Sequence, residues 1–403
     1  MSEPDLELEL DVDTPSAQLH RELQETIVRA LATRRPILHH LNADTSWLLQ
    51  IPRPASAVKH GGRVYYNVLI DPWFVGGQSD GARWFSQQWH REASRVGSVR
   101  EVEELIMRVE GLAGGPAGTR KRKRERKGEG DGVGMEEGRG GTVIDAVAVS
   151  HEFTDHCHKE TLLELDGDVP VLATEKAAQL ISSWNHFRVV LTISTFTHEN
   201  ADWRDHSLPP LPSWLSISRL TAPKDALFYH SALLICFATH PFLPTTPKKR
   251  SSLLSIHGDG DDHPSTPSAD AAECVVYTPH GIPYTALIPI EVADPPLHTL
   301  AFLHGLHDVS ISSAQQLNLG AKNGVLAQRI LQAKYWVATH DEVKIGGGLI
   351  AWFLRRRKWT VEEAVAEVRR DMREQGELEE KEDEGWEGMR FVEIGNGESR
   401  ILE

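Results

Sequence analysis

The sequence has few cysteines, no long apolar run and no visible secretory signal. Its 403 residues include three cysteines, Cys157, Cys236 and Cys274, which are too few for a scaffold held together by disulfide bonds. No stretch approaches the roughly 18–20 apolar residues that a membrane-spanning helix needs. The N-terminus is acidic and lacks a basic segment followed by an apolar one. These absences predict an intracellular, cytoplasmic protein without a transmembrane segment.

The chain also lacks an excess of charge outside its two ends. The formal net charge is −15, but residues 1–13 hold six acids and no bases, and residues 361–403 hold fifteen acids and six bases. The remainder is formally neutral, so the overall acidity says little about the charge of a substrate. We expect a disordered acidic tail over residues 1–15 and a second acidic tail over residues 376–403.

Two internal segments differ in composition from the rest of the chain. Residues 114–141 are rich in glycine and contain the basic run Arg120–Lys127, and residues 244–272 are rich in Pro, Ser, Asp and Gly. Such compositions bury too little apolar surface to order a chain. Both segments are therefore predicted to be disordered insertions in one domain spanning residues 16–375. The basic run is also a candidate nuclear-localisation or nucleic-acid segment, but it has no interleaved aromatic residue, so we expect no stable nucleic-acid binding.

Outside these segments, strand-like and helix-like patterns alternate along the chain. The apolar run 143–149 predicts a buried strand, and the β-branched run 187–194 predicts another. Thr360 followed by Glu363 forms a capping box that opens an amphipathic pattern. Such alternation of strands and helices favours an α/β architecture.

The stretch that follows residues 143–149 carries the most chemistry. Its sequence is Ser150-His151-Glu152-Phe153-Thr154-Asp155-His156-Cys157-His158. Imidazole and carboxylate groups at the end of a strand are ligands suited to Zn²⁺ or another first-row divalent ion. The alternative is a polar loop that caps the following helix, with Thr154 or Asp155 as the cap.

Three later strand ends also carry a histidine. His230 opens an apolar run, His280 follows the run 274–278, and His340 follows the run 333–339. A single histidine at a strand end is usually structural, but rigid strands are well suited to hold several metal ligands in place. We therefore expect these histidines to converge with Asp155 and His156 on one pocket.

The first motif resembles a known signature. Metallo-β-lactamase-fold proteins carry His-x-His-x-Asp-His at a strand end, and His151, Asp155 and His156 match three of these four positions, with Phe153 in place of the second histidine. The resemblance covers about residues 37–358 outside the insertions. The early Asp71-Pro72-Trp73 is most similar to the ascorbate-6-phosphate lactonase and N-acyl-phosphatidylethanolamine phospholipase D branches. The resemblance to the metallo-β-lactamase fold implies a four-layer αββα sandwich.

The resemblance also implies a ligand set and a metal number. The implied metal ligands are His151, Asp155, His156, His230, His280 and His340. Phe153 offers no donor atom, and a neutral His280 in the position of the family's bridging Asp would not join two ions as a carboxylate does. One Zn²⁺ or Mn²⁺ ion per chain is therefore expected.

The implied activity is that of a metal-dependent hydrolase. Asp155 would be the catalytic carboxylate, accepting a proton from an activated water. The expected substrate is a small or lipid-like ester, lactone or phosphodiester. The alternative is a non-catalytic binding protein of the same fold with an eroded metal site, favoured by Phe153 and His280. A nucleic-acid-processing role is a third hypothesis, motivated by the basic run Arg120–Lys127 alone.

Overall fold

The computed structural model describes most of the chain. The described residues are 24–30, 33, 35–58, 62–113, 141–222, 229–238, 271–312, 315–376 and 390–403. The predicted tail 1–15 and basic run Arg120–Lys127 lie outside them. So do the predicted insertions 114–141 and 244–272, except for Gly141 and residues 271–272. Among the described residues, no helix has the length and apolar content needed to cross a bilayer.

One large sheet is built mainly from the first half of the chain. Its seven strands are β1 (Ile37–His40), β2 (Trp47–Pro52), β3 (Tyr65–Ile70), β5 (Ala146–Val149), β6 (Val171–Ala173), β7 (Val190–Thr192) and β18 (Ser399–Ile401). Their order is β18-β1-β2-β3-β5-β6-β7. The pairs from β18 to β3 are antiparallel, and those from β3 to β7 are parallel. The continuous apolar sequence of β5 fits a parallel strand that is covered on both faces.

A second large sheet is built from the later part of the chain. Its six strands are β8 (Leu215–Thr221), β9 (Ser231–Ala238), β10 (Ala272–Thr278), β11 (Leu297–His304), β14 (Tyr335–Val337) and β17 (Phe391–Val392). Their order is β17-β14-β11-β10-β9-β8. The strands from β8 to β10 are antiparallel, and those from β10 to β17 are parallel.

The two sheets pack face to face, and helices cover their outer faces. The helices are α1 (Val99–Leu112), α2 (Lys159–Leu162), α3 (Glu175–Ser183), α4 (Ile288–Glu291), α5 (Ala321–Leu331) and α6 (Val361–Glu374). Residues 24–30 are helical as well. One apolar core lies between the sheets and contains Trp47, Val68, Ile235 and Tyr277.

Separate cores join the helices to the sheets. Helices α1 to α3 pack on the first sheet, and α5 and α6 pack on the second. The layers therefore run helix, sheet, sheet, helix, and the four-layer αββα order predicted for the fold is confirmed. The predicted capping box is also present, since the Thr360 side chain accepts from the Glu363 N–H and the Glu363 carboxylate accepts from the Thr360 N–H.

The C-terminal residues require a correction to the predicted domain bounds. Residues 390–403 are part of the two sheets, because β17 pairs with β14 and β18 pairs with β1. Arg35, which is buried, donates to the Leu402 carbonyl at 2.8 Å. The acidic composition of residues 376–403 comes mostly from residues 377–387, which lie outside the described part of the chain. The acidity of the segment therefore did not indicate that its last residues complete the fold.

Two small sheets lie beside the sandwich and frame the site described below. One contains β12 (Asp308–Ile311), β13 (Gln315–Asn318) and β16 (Leu354–Arg357). The other pairs β4 (Gln87–Trp89) with β15 (Ile345–Gly347). The 3₁₀ turn Leu349–Trp352 connects β15 to β16.

Candidate metal centre

Strand ends from both large sheets bring three histidine rings together. His156 lies after β5, His280 after β10 and His340 after β14. The ring centroids of His156 and His280 are 4.8 Å apart, those of His156 and His340 are 5.1 Å apart, and those of His280 and His340 are 5.0 Å apart. One ring nitrogen from each of the three lies within 4.8 Å of the other two. All three rings are buried.

The outer nitrogen of each ring is held by an oxygen acceptor. Each Nδ1 has one such partner: Asp71 at 2.8 Å from His156, Asn318 at 3.0 Å from His280, and Asp44 at 3.1 Å from His340. A carboxylate or an amide oxygen can only accept, so these partners assign the proton to Nδ1. Each inner Nε2 then carries a lone pair. Metal-binding histidines are oriented in this way by an outer hydrogen bond.

The inner nitrogens of two rings are otherwise unsatisfied. The buried Nε2 atoms of His156 and His280 have no hydrogen-bond partner among the described residues. Buried polar atoms are rarely left without a partner unless a water, an ion or a ligand completes the site. The donor set, with three imidazole nitrogens within 4.8 Å of one another, fits a first-row divalent ion such as Zn²⁺.

Asp71 fixes the position of His156 and links both sheets. Its buried carboxylate accepts from the Ser150 N–H at 2.7 Å, from the Ser150 hydroxyl, and from the Tyr277 hydroxyl at 2.9 Å. With His156 Nδ1 this makes four donors, a number that a carboxylate with two oxygens can accept. Asp71 has a φ of 43° and His340 a φ of 58°. Residues other than glycine adopt this left-handed region uncommonly, and such exceptions cluster at functional sites.

A lysine and two aspartates form a second group beside the histidines. Lys344 Nζ lies 2.7 Å from Asp155 Oδ2 and 2.8 Å from Asp44 Oδ2. All three side chains are largely buried, with 7% of the lysine, 9% of Asp155 and none of Asp44 exposed. Ligand atoms of Asp44, Asp155 and His340 also lie within 4.8 Å of one another. The ammonium of Lys344 therefore lies between two carboxylates of a potential second cation site.

The charges within the histidine cluster and the neighbouring Lys344 group shift the pKa values of their members. Burial alone would raise the pKa of Asp155, but Lys344 and His156 outweigh it and hold that pKa well below its usual value. Burial alone would lower the pKa of His156, but the carboxylates of Asp155 and Asp71 outweigh it and raise that pKa. Burial and the neighbouring His156 hold the pKa of His280 well below its usual value. His156 thus lies where positive charge is favoured, and His280 offers a neutral ring, which is the form that binds a metal.

Two of the predicted ligands, His151 and His230, lie outside both groups of possible metal ligands. These groups are His156, His280 and His340, and Asp44, Asp155 and His340. The His151 ring stacks on Phe153 with centroids 4.0 Å apart, and it lies 5.6 Å from the His280 ring. His151 therefore lies at the edge of the cluster. The aromatic ring that reaches the cluster from the start of β9 belongs to Tyr229, 5.5 Å from His151 and 5.9 Å from His280.

The alternative role in helix capping is carried by His158 and not by the predicted cap residues. His158 is the N-cap of α2, and its Nδ1 lies 2.9 Å from the Thr161 hydroxyl. Thr154 donates its hydroxyl to Gln78 at 2.7 Å and its N–H to Asp80 at 2.9 Å. One stretch thus supplies both a helix cap and residues of the cluster.

A cavity of about 370 Å³ opens onto the cluster. Asp155, His280, His340 and Lys344 lie at its polar end. Much of the remaining wall is apolar and is formed by Phe85, Phe153, Tyr229, Ile311, Leu317, Ile350 and Leu354. Asp80 also lines the cavity, and burial together with the negative charge of Asp155 raises its pKa to about 6. The cavity therefore combines a polar end with space for an apolar ligand.

Sequence reasoning did not identify Asp44, Lys344, Asn318 or Asp80 as residues of the site. Asp44 lies in the turn between β1 and β2, where the Asn42 side chain accepts from the N–H groups of Asp44 and Ser46. That polar turn between two apolar strands was the available signal for Asp44. Lys344 lies four residues after His340, between the apolar residues Val343 and Ile345. Nothing in this local sequence indicated that Lys344 pairs with Asp44 and Asp155.

Comparisons with known proteins place the chain near hydrolases at low similarity. No family model and no curated protein matches it. An isothiocyanate hydrolase from Delia radicum gut bacteria is 13% identical, with a TM-score of 0.43 over 91% of this chain and 99% of that chain. A possible metal-dependent hydrolase from Veillonella parvula is 10% identical, with a TM-score of 0.45 over 91% and 100% of the two chains. The long form of RNase Z from yeast is 9% identical, with a TM-score of 0.41 over 91% of this chain and 42% of that chain.

Proposed function

We propose that this chain is a metallo-β-lactamase-fold hydrolase that uses one divalent ion to cleave an ester, a lactone or a phosphodiester. The observation that carries the proposal is the convergence of the His156, His280 and His340 rings, each fixed by an oxygen acceptor at Nδ1. The ion would be held by these three rings, with Asp155 as a fourth ligand. When bound, it would supply a Lewis acid that polarises a carbonyl or phosphoryl oxygen and makes a water more acidic.

The carboxylates of the cavity divide the remaining roles. Lys344 keeps Asp155 ionised, so Asp155 is suited to bind a cation and to accept a hydrogen bond from an attacking water. A carboxylate with so low a pKa is a weak proton acceptor. Asp80 has a pKa of about 6 and lines the same cavity, and it is better matched to accept and return a proton near neutral pH. We therefore propose that Asp80 accepts and returns the proton, in place of Asp155, for which the sequence predicted that role.

Metal content tests the proposal directly. Protein purified without chelator should contain close to one equivalent of Zn²⁺ or Mn²⁺ by elemental analysis, and His156→Ala should contain none. His186→Ala is the matched control, because His186 is a half-buried histidine that bonds the Leu165 carbonyl away from the cluster. It should keep the metal of the wild type. A chain that stays metal-free when zinc is added would end the hydrolase proposal.

The role of Asp80 has a separate test. Asp80→Asn should keep one equivalent of metal and lower kcat by about 100-fold or more, the typical contribution of general acid–base catalysis. The pH dependence of kcat should lose its limb near pH 6, where Asp80 titrates. Unchanged kcat in a metal-loaded Asp80→Asn variant would remove Asp80 from the mechanism.

A non-catalytic binding protein is the second candidate, and Lys344 favours it. Its ammonium already pairs with both buried carboxylates, Asp44 and Asp155, so these groups have a counter-charge without a metal ion. Phe153, which stacks on His151, supports the same alternative because it fills the position of a ligand. Metal-free wild-type protein with an unchanged melting temperature in the presence of zinc would favour this candidate.

The cellular location is part of the proposal. The three cysteines are all buried and unpaired, which supports a reducing, intracellular compartment. The substrate is proposed to be a small or lipid-like molecule, supported by the apolar wall of the cavity.

A further inference from the structure

A group of exposed apolar side chains lies on segments that also line the cavity. Its members are Trp84, Trp89, Ile345, Leu349, Trp352 and Phe353, here named the aromatic rim. Trp352 is 87% exposed and Trp84 is 72% exposed. Single exposed apolar residues are common on protein surfaces, but a contiguous group rimmed by polar residues marks an interaction surface.

Hydrogen bonds show that the aromatic rim is one continuous surface. Strand β15 pairs with β4, with Ile345 opposite Trp89. The Leu349 N–H donates to the Trp84 carbonyl at 3.0 Å. The turn Leu349–Trp352 leads directly into Phe353 and β16, and β16 pairs with β12. Segments distant in the sequence are thus fixed side by side.

The rim is joined to the cavity of the candidate metal centre. Phe85 follows Trp84, Ile350 follows Leu349, and Leu354 follows Phe353, and these three residues line the cavity. The Ile350 N–H donates to the Phe85 carbonyl at 3.0 Å, which closes this part of the wall. A surface on which the rim rests would therefore lie next to the cavity.

The charge around the rim is positive, unlike that of the whole chain. Residues 81–91 and 343–358 contain seven lysines and arginines and no acid, in a chain with a net charge of −15. The Lys344 side chain is largely buried between Asp44 and Asp155, and the other six are exposed: Arg83, Arg91, Arg355, Arg356, Arg357 and Lys358. Tryptophans flanked by basic side chains suit the headgroup region of a bilayer, where the rings reach the acyl boundary and the cations meet anionic lipids.

We propose that the aromatic rim docks on an anionic membrane surface. A second copy of this chain is the less favourable occupant, because a two-fold contact through the rim would bring the six exposed cations of each copy together. The docked orientation places the cavity entrance against the lipid, so an amphiphile with an acyl chain would enter without crossing water. The entry of substrate rests on the proposed hydrolase function, whereas the docking itself does not.

Vesicle binding by the full chain tests the docking. The protein should co-sediment with phosphatidylcholine vesicles that contain about one-third phosphatidylserine, and binding should fall as salt is raised. Pure phosphatidylcholine vesicles should bind much less. Trp84→Ser with Trp352→Ser should weaken binding by about tenfold for each tryptophan. Arg355→Gln with Lys358→Gln should weaken it by about fivefold for each charge.

Controls separate docking from folding and from catalysis. Met107→Ser changes an apolar side chain that is 47% exposed on α1 and should bind vesicles as the wild type does. Both double variants alter exposed side chains, so their melting temperatures should match that of the wild type. His156→Ala should retain vesicle binding, because no metal is needed for the rim. Failure of the metal test with vesicle binding intact would therefore refute the hydrolase proposal alone.

Three results would overturn the docking proposal. One is the absence of vesicle binding at low salt. Another is binding that the two tryptophan substitutions leave unchanged. The third is a stable dimer in light scattering that Trp84→Ser with Trp352→Ser converts to a monomer, which would identify a second copy as the occupant of the rim.

Discussion

Lys344→Met provides the sharpest test of how this site controls its charge. The Lys344 ammonium lies within 2.8 Å of Asp44 and Asp155, and all three side chains are largely buried. Methionine keeps the length and the apolar stem of the side chain but removes the positive charge. The substitution leaves two ionised carboxylates near each other and near His340, in an arrangement that could bind a cation.

The expected cost follows from the burial of these charges. Removing one partner of a buried ion pair typically destabilises a protein by about 3–5 kcal/mol, because the remaining charge is left uncompensated. In a domain of this size, that loss corresponds to a fall in melting temperature on the order of 5–10 °C. Added Zn²⁺ should reverse much of the loss by binding between the carboxylates of Asp44 and Asp155, since an ion at about 100 times its Kd stabilises by about 2.7 kcal/mol.

The assay combines metal content with thermal unfolding. The wild type should hold one ion, and Lys344→Met should hold close to two after equilibration with zinc. Lys322→Met is the matched control, because Lys322 pairs with Asp371 and Glu367 on the surface, where its side chain is 36% exposed. It should change neither the metal content nor the melting temperature. A Lys344→Met variant that holds one ion and melts like the wild type would refute the role assigned to the ammonium.

Two further predictions follow from buried polar groups. Asp71→Asn should weaken zinc binding by about 10–100-fold at constant fold, because the partner that orients His156 loses its charge; competition with a chromophoric chelator measures this, and unchanged affinity would contradict the orienting role. His39 is fully buried and its pKa is lowered from 6.5 to about 4 by burial, so the unfolded chain takes up the proton first as the pH falls. The contribution of His39 to stability is therefore complete above about pH 6.5 and is lost towards pH 4, by about 3 kcal/mol; urea unfolding at several pH values should show this loss, and His39→Asn should reduce it.

The fold was largely predictable because its signals are local. The apolar run before Ser150 and the capping box at Thr360 depend on neighbouring residues, and the structure contains β5 and α6 at these places. The bounds of the fold at the C-terminus were not predictable in this way. Strand β18 contains three residues, and its stability depends on pairing with β1, more than 350 residues earlier. Composition dominated the interpretation of residues 376–403, whereas strand pairing determines the structure of residues 390–403.

In the candidate site, the histidines could be predicted from neighbouring residues, but their hydrogen-bond partners could not. Histidines at strand ends indicated His156, His280 and His340, because a strand end marks a position on the rim of a sheet. The sequence did not indicate which residues hold the outer nitrogens of these rings, since Asp71 and Asn318 reach them from other elements. The family resemblance gave the order of the histidines but not their neighbours.

Phe153 and Lys344 both bear on the number of cations that this site can hold. A second ion needs ligands, and Phe153 removes one of those that the resemblance implies. The loss of an ion would leave Asp44 and Asp155 without a counter-charge, and an ammonium at 2.7–2.8 Å from both carboxylates provides it. Lys344 therefore supplies, from a side chain of the protein, the positive charge that a second cation would otherwise supply to these carboxylates. Lys344→Met removes that charge, and the affinity for a second ion then depends on the two carboxylates that remain.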